Sequence, residues 1–241
     1  DRPSWRTVDG GSREYVRRMM GSIETNIFTG CEATSVARKN NKVLVGSRKD
    51  GIREFDQAII ATHADQALRL LNAPNTKEQT LLGAIGYSTN RTLLHSDPGL
   101  MPKRKRVWSS WNYLQADGAE PTASLCVTYW MNKLQGIPNT DPLFVTLNPT
   151  TEPDEHFLLR EFTYEHPQFN GDAMIAQGDL WSLQGRDGIW FCGSYFGYGF
   201  HEDALQSGLA VAEAIGGVRR PWSVENESSR IATPKLHSIA A

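Results

Sequence analysis

The sequence predicts a mixed α/β fold with an α+β part inserted in it, and three observations carry that prediction. Residues 189 to 215, IWFCGSYFGYGFHEDALQSGLAVAEAI, read as a short buried strand, a glycine-rich turn and a long helix. Residues 55 to 62, FDQAIIAT, form an apolar run closing on small residues, as expected of a strand buried on both faces, and a helical pattern follows it. Between residues 76 and 164 the pattern changes to long aromatic strands separated by turn residues, which predicts a mostly antiparallel sheet.

The bulk composition allows such a fold and excludes several function classes. The chain has 241 residues, 39% hydrophobic and 22% charged, which is ordinary globular material. At roughly 100–200 residues per domain this predicts one or two domains, with enough chain to bury a core. The net charge is −2 and the charges are mixed, so no polyanion partner is implied and nucleic acid is not expected. Cys31, Cys126 and Cys192 are odd in number and lie far apart in apolar surroundings. They read as reduced, buried thiols of a cytoplasmic protein, and their spacing builds no metal site. No apolar run approaches the roughly 18 residues of a membrane span, and nothing resembles a signal peptide. The basic run PKRKR at 102 to 106 allows peripheral contact with a membrane surface, although such a run between strands more often forms a solvated loop.

Taken in order, the chain opens without methionine in polar loop material, DRPSWRTVDGG, and reads as part of a longer protein. Ser12 is a plausible N-cap, and Tyr15, Val16, Met19 and Met20 recur at helical spacing. Ala33 to Ala37 and Lys42 to Val45 flank Asn40-Asn41, a pair that tolerates positive φ and suits a hairpin turn. After the strand at 55 to 62, Ala64, Ala67, Leu68 and Leu71 share one face of a helix. The aromatic strands fall at 88–96, 107–114, 123–130, 143–148 and 157–164. A helix at 172–183 and a buried strand at 188–192 lead into a last helix whose apolar face holds Leu205, Leu209, Ala212 and Ile215. From Arg219 onward, with Pro221 and Pro234, a loose tail is expected. These readings divide the chain into 1–75, 76–165, 166–218 and a tail at 219–241.

Chemistry concentrates in CGSYFGYGFHED. Glycines at 193, 197 and 199 allow backbone to approach a bound group closely. Glu202 and Asp203 suit the first turn of a helix, and free N–H groups at a helix start suit an anion or a polarised carbonyl. The same glycines are equally well explained by a turn that needs positive φ and binds nothing.

Taken whole, GIWFCGSYFGYGFHEDALQSGLAVAEAI resembles the C-terminal flavin-binding motif of the FAD-dependent amine oxidase and phytoene desaturase superfamily. RTVDGGSREYVRRM, EATSVARKNNKVLV and FDQAIIATHADQALRLL are similar to further segments of that family. VWSSWNY, TYWMNKLQ, LFVTLNP and YEHPQF resemble a bacterial branch of NAD/FAD-binding amine-oxidase-like proteins. The resemblance runs from residue 2 to residue 219. It implies that the fold is the C-terminal part of an FAD-binding Rossmann-type domain carrying an inserted substrate domain. It also implies that FAD is the cofactor. Gly193 and Ser194 would lie by the ribityl and pyrophosphate part of FAD, and Gly199, Phe200, His201, Glu202 and Asp203 by the flavin ring. Val36 would meet the adenine through its backbone. Ser194 departs from the family's usual glutamate, and Asp203 stands where many members carry glycine.

The N-terminal GxGxxG signature of the family does not occur in these residues, so they are expected to bind FAD weakly or not at all when alone. The implied reaction is oxidation of a C–N or C–C bond with hydride passing to flavin N5. Phe200 stands at an aromatic-cage position where tyrosine is expected, and no lysine falls in register around Ser88 to His95. An acyl chain or another hydrophobic small molecule therefore suits the substrate better than an amine does. His201 is a candidate proton donor and equally a solvent-facing residue at a helix start. Tyr195, Tyr198 and Trp130 are candidates for a substrate wall, though such rings more often pack in a core. His166, before Pro167, reads as a loop residue. A reading from a different class is a noncatalytic ligand- or partner-binding α/β module with a vestigial flavin motif.

Overall fold

The computed structural model describes residues 7–21, 23, 26–114 and 125–233. In chain order the elements begin with α1 (Arg13–Met20), β1 (Ala33–Lys39), β2 (Lys42–Ser47), β3 (Gly51–Phe55), β4 (Ala58–Ile60), α2 (Ala64–Leu70) and α3 (Thr76–Gly83). They continue with β5 (Gly86–His95), β6 (Trp111–Leu114), β7 (Cys126–Trp130), α4 (Met131–Gln135) and β8 (Phe144–Leu147). Then come β9 (Leu158–Gln168), α5 (Gly171–Asp179), β10 (Ile189–Phe191) and α6 (His201–Gly216). The chain forms two compact units, one of Phe28–Ser88 with the residues from His166 on, the other of Thr89–Glu165 with the residues up to Ile27.

The first unit holds an α/β core. β4 and β10 pair in parallel, Ala58 with Ile189 and Ile60 with Phe191. Gln184 lies against the strand and uses its side-chain amide as a neighbouring strand would, donating to the Phe191 carbonyl at 2.7 Å and accepting from the Phe191 N–H at 2.8 Å. β1, β2 and β3 form an antiparallel meander. Asn40 and Asn41 take φ of 51° and 62° at its first turn, the left-handed conformation expected of that pair. One core joins Val36 and Val43 of the meander, Ile60, Ile189 and Phe191 of the parallel pair, and residues of the flanking helices.

Two elements of this unit correct the sequence-based expectation. Residues 76–83 form α3, where the aromatic region was expected to begin. Asn75 caps it, its Oδ1 accepting from the Glu78 N–H at 2.9 Å while Glu78 accepts from the Asn75 N–H at 2.8 Å, a reciprocal box. Glu78 is fully buried and also pairs with Arg38. The segment after α6 is docked over its described residues rather than loose: Ile231 enters the core, and Arg220 is buried against Glu213 with Nε to Oε1 at 2.6 Å. Residues 234–241 lie outside the described part.

The second unit is an antiparallel sheet in the order β6-β7-β8-β5-β9. Its strands match the expected ones with shifted ends: β5 starts two residues earlier, β8 loses one residue at each end, and Val107, expected to open a strand, lies in a 3-10 turn at 105–107. Its buried face carries a polar chain that runs diagonally from His95 to Thr146 and then through the paired positions Thr146, Thr128 and Asn112. His95 Nε2 lies 2.8 Å from Thr146 Oγ1, which lies 2.9 Å from Thr128 Oγ1, and Asn112 Nδ2 donates to the Thr128 carbonyl at 3.2 Å. Burial lowers the His95 pKa, which favours the neutral ring. The other face presents Trp111 and Tyr113 beside Tyr129 and Val127, their cross-strand partners. Cys126 and Cys192 are buried free thiols, whereas Cys31 is only partly buried and donates to Asp50 Oδ2 at 3.2 Å. No described helix is long and apolar enough to cross a membrane.

Candidate functional site

The parallel pair β4–β10 ends at Ile60 and Phe191 in register, and both strands run directly into turns that open helices. A ligand crevice outside the carboxyl ends of parallel strands is the common arrangement of α/β sheets. After β10 the chain makes a 3-10 turn at Ser194–Phe196 and enters α6 at His201. Gly199 takes φ of +87°, and a Cβ there would lie 3.2 Å from the Phe169 ring, so both conformation and space favour glycine. At Gly197 a Cβ would meet the Asp203 carboxylate at 2.5 Å and the Arg230 carbonyl at 2.8 Å, so close approach rather than φ excludes a side chain.

The turn is fixed from within. The Ser194 carbonyl accepts from the N–H of Gly197 at 3.2 Å and of Gly199 at 3.1 Å. Ser207 Oγ accepts from the Gly193 N–H at 3.0 Å and donates to its carbonyl or to that of Ala204, at 3.1 and 3.0 Å. Gln177 Nε2 donates to the Tyr195 and Gly197 carbonyls at 2.8 and 2.5 Å. The Phe200 N–H donates to Asp203 Oδ2 at 2.7 Å, which starts α6 with a carboxylate cap. Ser207 and Gln177 were not singled out from the sequence. Both are polar residues at helix positions that face inward, and a polar residue in a helix is ordinarily read as solvent-facing.

The residues expected at the site separate into those the structure turns outward and those it commits inward. Tyr198 and Phe200 are 60% and 65% exposed, and His201 and Glu202 are exposed beside them. Glu202 accepts from Gln206 at 2.9 Å. Asp203 is fully buried and paired with Arg230, Nε to Oδ1 at 2.6 Å, so its carboxylate serves the helix start. Val36 is a core residue whose carbonyl accepts from the Asn72 N–H at 3.0 Å. Tyr195 corrects the expectation of a substrate wall, because it is 1% exposed and sits in the core beside Phe196. Burial holds its phenol well above the usual tyrosine pKa and raises the Cys192 thiol as well. Trp130 packs edge-on against Trp108 in the second unit, with ring centroids 5.3 Å apart. His166 lies within β9 rather than in a loop.

The buried face of α6 also differs from the expected one. Asp203, Gln206, Ser207, Ala210 and Val211 face inward, while Leu205 is half exposed. The helix is oriented by hydrogen bonds from its polar residues to the turn and to the segment after it. Apolar spacing alone cannot register these.

Comparison with known proteins places this geometry in a family. The family model described as flavin containing amine oxidoreductase matches residues 1–216. No curated protein sequence matches. Among solved structures, a fatty acid isomerase from P. acnes that produces CLA superposes with a TM-score of 0.58 at 13% identity, over 80% of this chain and 49% of that one. Putrescine oxidase bound to putrescine gives 0.58 at 13% identity, over 87% and 54%. Cyclohexylamine oxidase from Brevibacterium oxydans IH-35A gives 0.59 at 12% identity, over 86% and 52%. At such identities the superpositions speak for the fold, and the chain spans about half the length of these proteins. A match over nearly the whole chain is the stronger finding, and by it the chain belongs to the family of flavin-containing amine oxidoreductases.

Proposed function

We propose that these residues are the C-terminal part of an FAD-dependent oxidoreductase and that the turn from Gly193 to Asp203 faces the flavin. The observation that carries the reading is the rigid glycine turn at the carboxyl ends of β4 and β10, opening α6. The residues fit a flat ring that gains negative charge on reduction. Gly199 leaves room where a Cβ would crowd the turn, Tyr198 and Phe200 offer exposed aromatic surface, and the helix start offers a positive dipole end. Gly193 and Ser194 would hold the ribityl and pyrophosphate portion, with the backbone at Gly193 kept in place by Ser207. Val36 would meet the adenine with its backbone, Glu202 would lie by the ring, and Asp203 would act by shaping the turn.

A bound flavin would supply the redox chemistry, taking up the hydride lost from a C–H bond when the substrate's C–N or C–C single bond is oxidised to a double bond, with a proton leaving from the neighbouring atom. The chain's own contribution is orientation and electrostatics. A preorganised helix start favours negative charge where it develops on the ring, and His201, exposed at that start, is within reach of a proton-transfer role. Tyr198, exposed in the turn, is the wall candidate beside the proposed flavin face, and a hydrophobic small molecule suits such a ring as substrate.

The test is the absorbance of the natural full-length protein after incubation with FAD and removal of unbound FAD by gel filtration. A flavin band near ~450 nm is expected, and its absence would remove the oxidoreductase reading.

A further inference from the structure

The family match ends at residue 216, and the segment that follows is built onto the glycine turn. Arg230 donates from Nε to Asp203 Oδ1 at 2.6 Å and from Nη2 to Oδ2 at 3.2 Å. Its backbone N–H donates to Gln206 Oε1 at 3.1 Å, and the next residue, Ile231, is buried in the core. The other end of the segment is anchored on the same helix. The Arg220 N–H and Nε both donate to Glu213 Oε1, at 2.9 and 2.6 Å. Residues 219–231 are therefore fastened to α6 at both ends.

One carboxylate joins this segment to the helix start. Asp203 is fully buried and accepts at once from Arg230 and from the Phe200 N–H. The Arg230 guanidinium also lies over the Tyr198 and Phe200 rings, 5.0 and 5.7 Å from their centroids. A surface ion pair in such a place would contribute little, but removing Arg230 strands a buried negative charge. That charge sits in the first turn of α6, where it would cancel the positive end of the helix dipole.

We propose that Arg230 is a positioning residue of the flavin site. Residues 219–231 form a clasp that sets the shape of the turn at 197–203 and neutralises Asp203 there. The turn then presents its aromatic side chains and a helix start whose dipole the Asp203 charge does not cancel. The inference rests on the reading of this turn as the flavin face.

The experiment uses the natural full-length protein as wild type, R230Q and D203N/R230Q. Three quantities are measured: the Kd for FAD, the midpoint potential of the bound flavin, and hydrogen exchange at 197–203 in the flavin-free form. R230Q is expected to raise the Kd about tenfold, to move the potential to more negative values, and to speed exchange at the turn. D203N/R230Q, which carries no stranded charge, is expected to restore the potential, a recovery that a purely structural role would not give. If R230Q does not fold, R230K keeps the charge without the forked geometry, and an intermediate Kd is expected of it. A Kd and potential unchanged in R230Q, or in R230K where that variant stands in, overturn the proposal while the wild type still binds flavin. A wild type that binds no flavin overturns the functional reading itself, and the inference with it.

Discussion

Tyr195 shows how far a single residue can depart from its pattern. Its place in a glycine-rich turn suggests an exposed ring, yet it is a core residue whose Oη finds no hydrogen-bond partner among the described residues. The cost of ionising it there gives a pH dependence with a definite sign. The folded pKa lies well above the usual value of about 10, so between the two the native state keeps a proton that the unfolded chain gives up. Stability from this group is complete below about pH 10 and is lost as pH rises toward the folded pKa. The melting temperature is expected to fall between pH 9 and 11, by a smaller amount in Tyr195→Phe, and a pH series of thermal melts on both proteins checks it. The spacing of the turn was legible in the sequence, and so was its role as a strand-to-helix junction. Which rings turn inward was not, because Tyr195, Tyr198 and Phe200 are alike in composition and differ only in what packs beside them.

Among the elements, α3 was missed although its start carries a readable signal, Asn75 followed by Glu78 in a capping box. The helix is short and weakly amphipathic, so periodicity gave it no weight, and the cap, not the apolar pattern, defines it. Asn75→Ala is therefore expected to cost about 1 kcal/mol, read as a lowered midpoint in urea with an unchanged slope. By contrast, the Asn40-Asn41 hairpin and the strand at residues 58–60 were legible because turn chemistry and continuous burial are local. The inward face of α6 was not, since Asp203, Gln206 and Ser207 are held by partners distant in sequence, 27 residues away in the Arg230–Asp203 bond.

For the molecule as a whole, the likeness to solved structures covers about half of their length, and the chain contains no GxGxxG. A dinucleotide site needs that phosphate-binding turn. The 241-residue chain alone is expected to bind FAD at least ~100-fold more weakly than the natural full-length protein, a difference of about 2.7 kcal/mol that titration calorimetry on both would measure. Equal affinities would mean that the chain is a sufficient site.

The parallel pair β4–β10 also sets a timetable. Trp190 Nε1 donates to Gln57 Oε1 across 133 residues of chain, and the strands on either side of that bond share one core. During synthesis at about 5–20 residues per second, β4 leaves the ribosome on the order of ten seconds before its neighbour exists. Through that interval an apolar strand must wait in the nascent protein without the neighbour that completes its ladder.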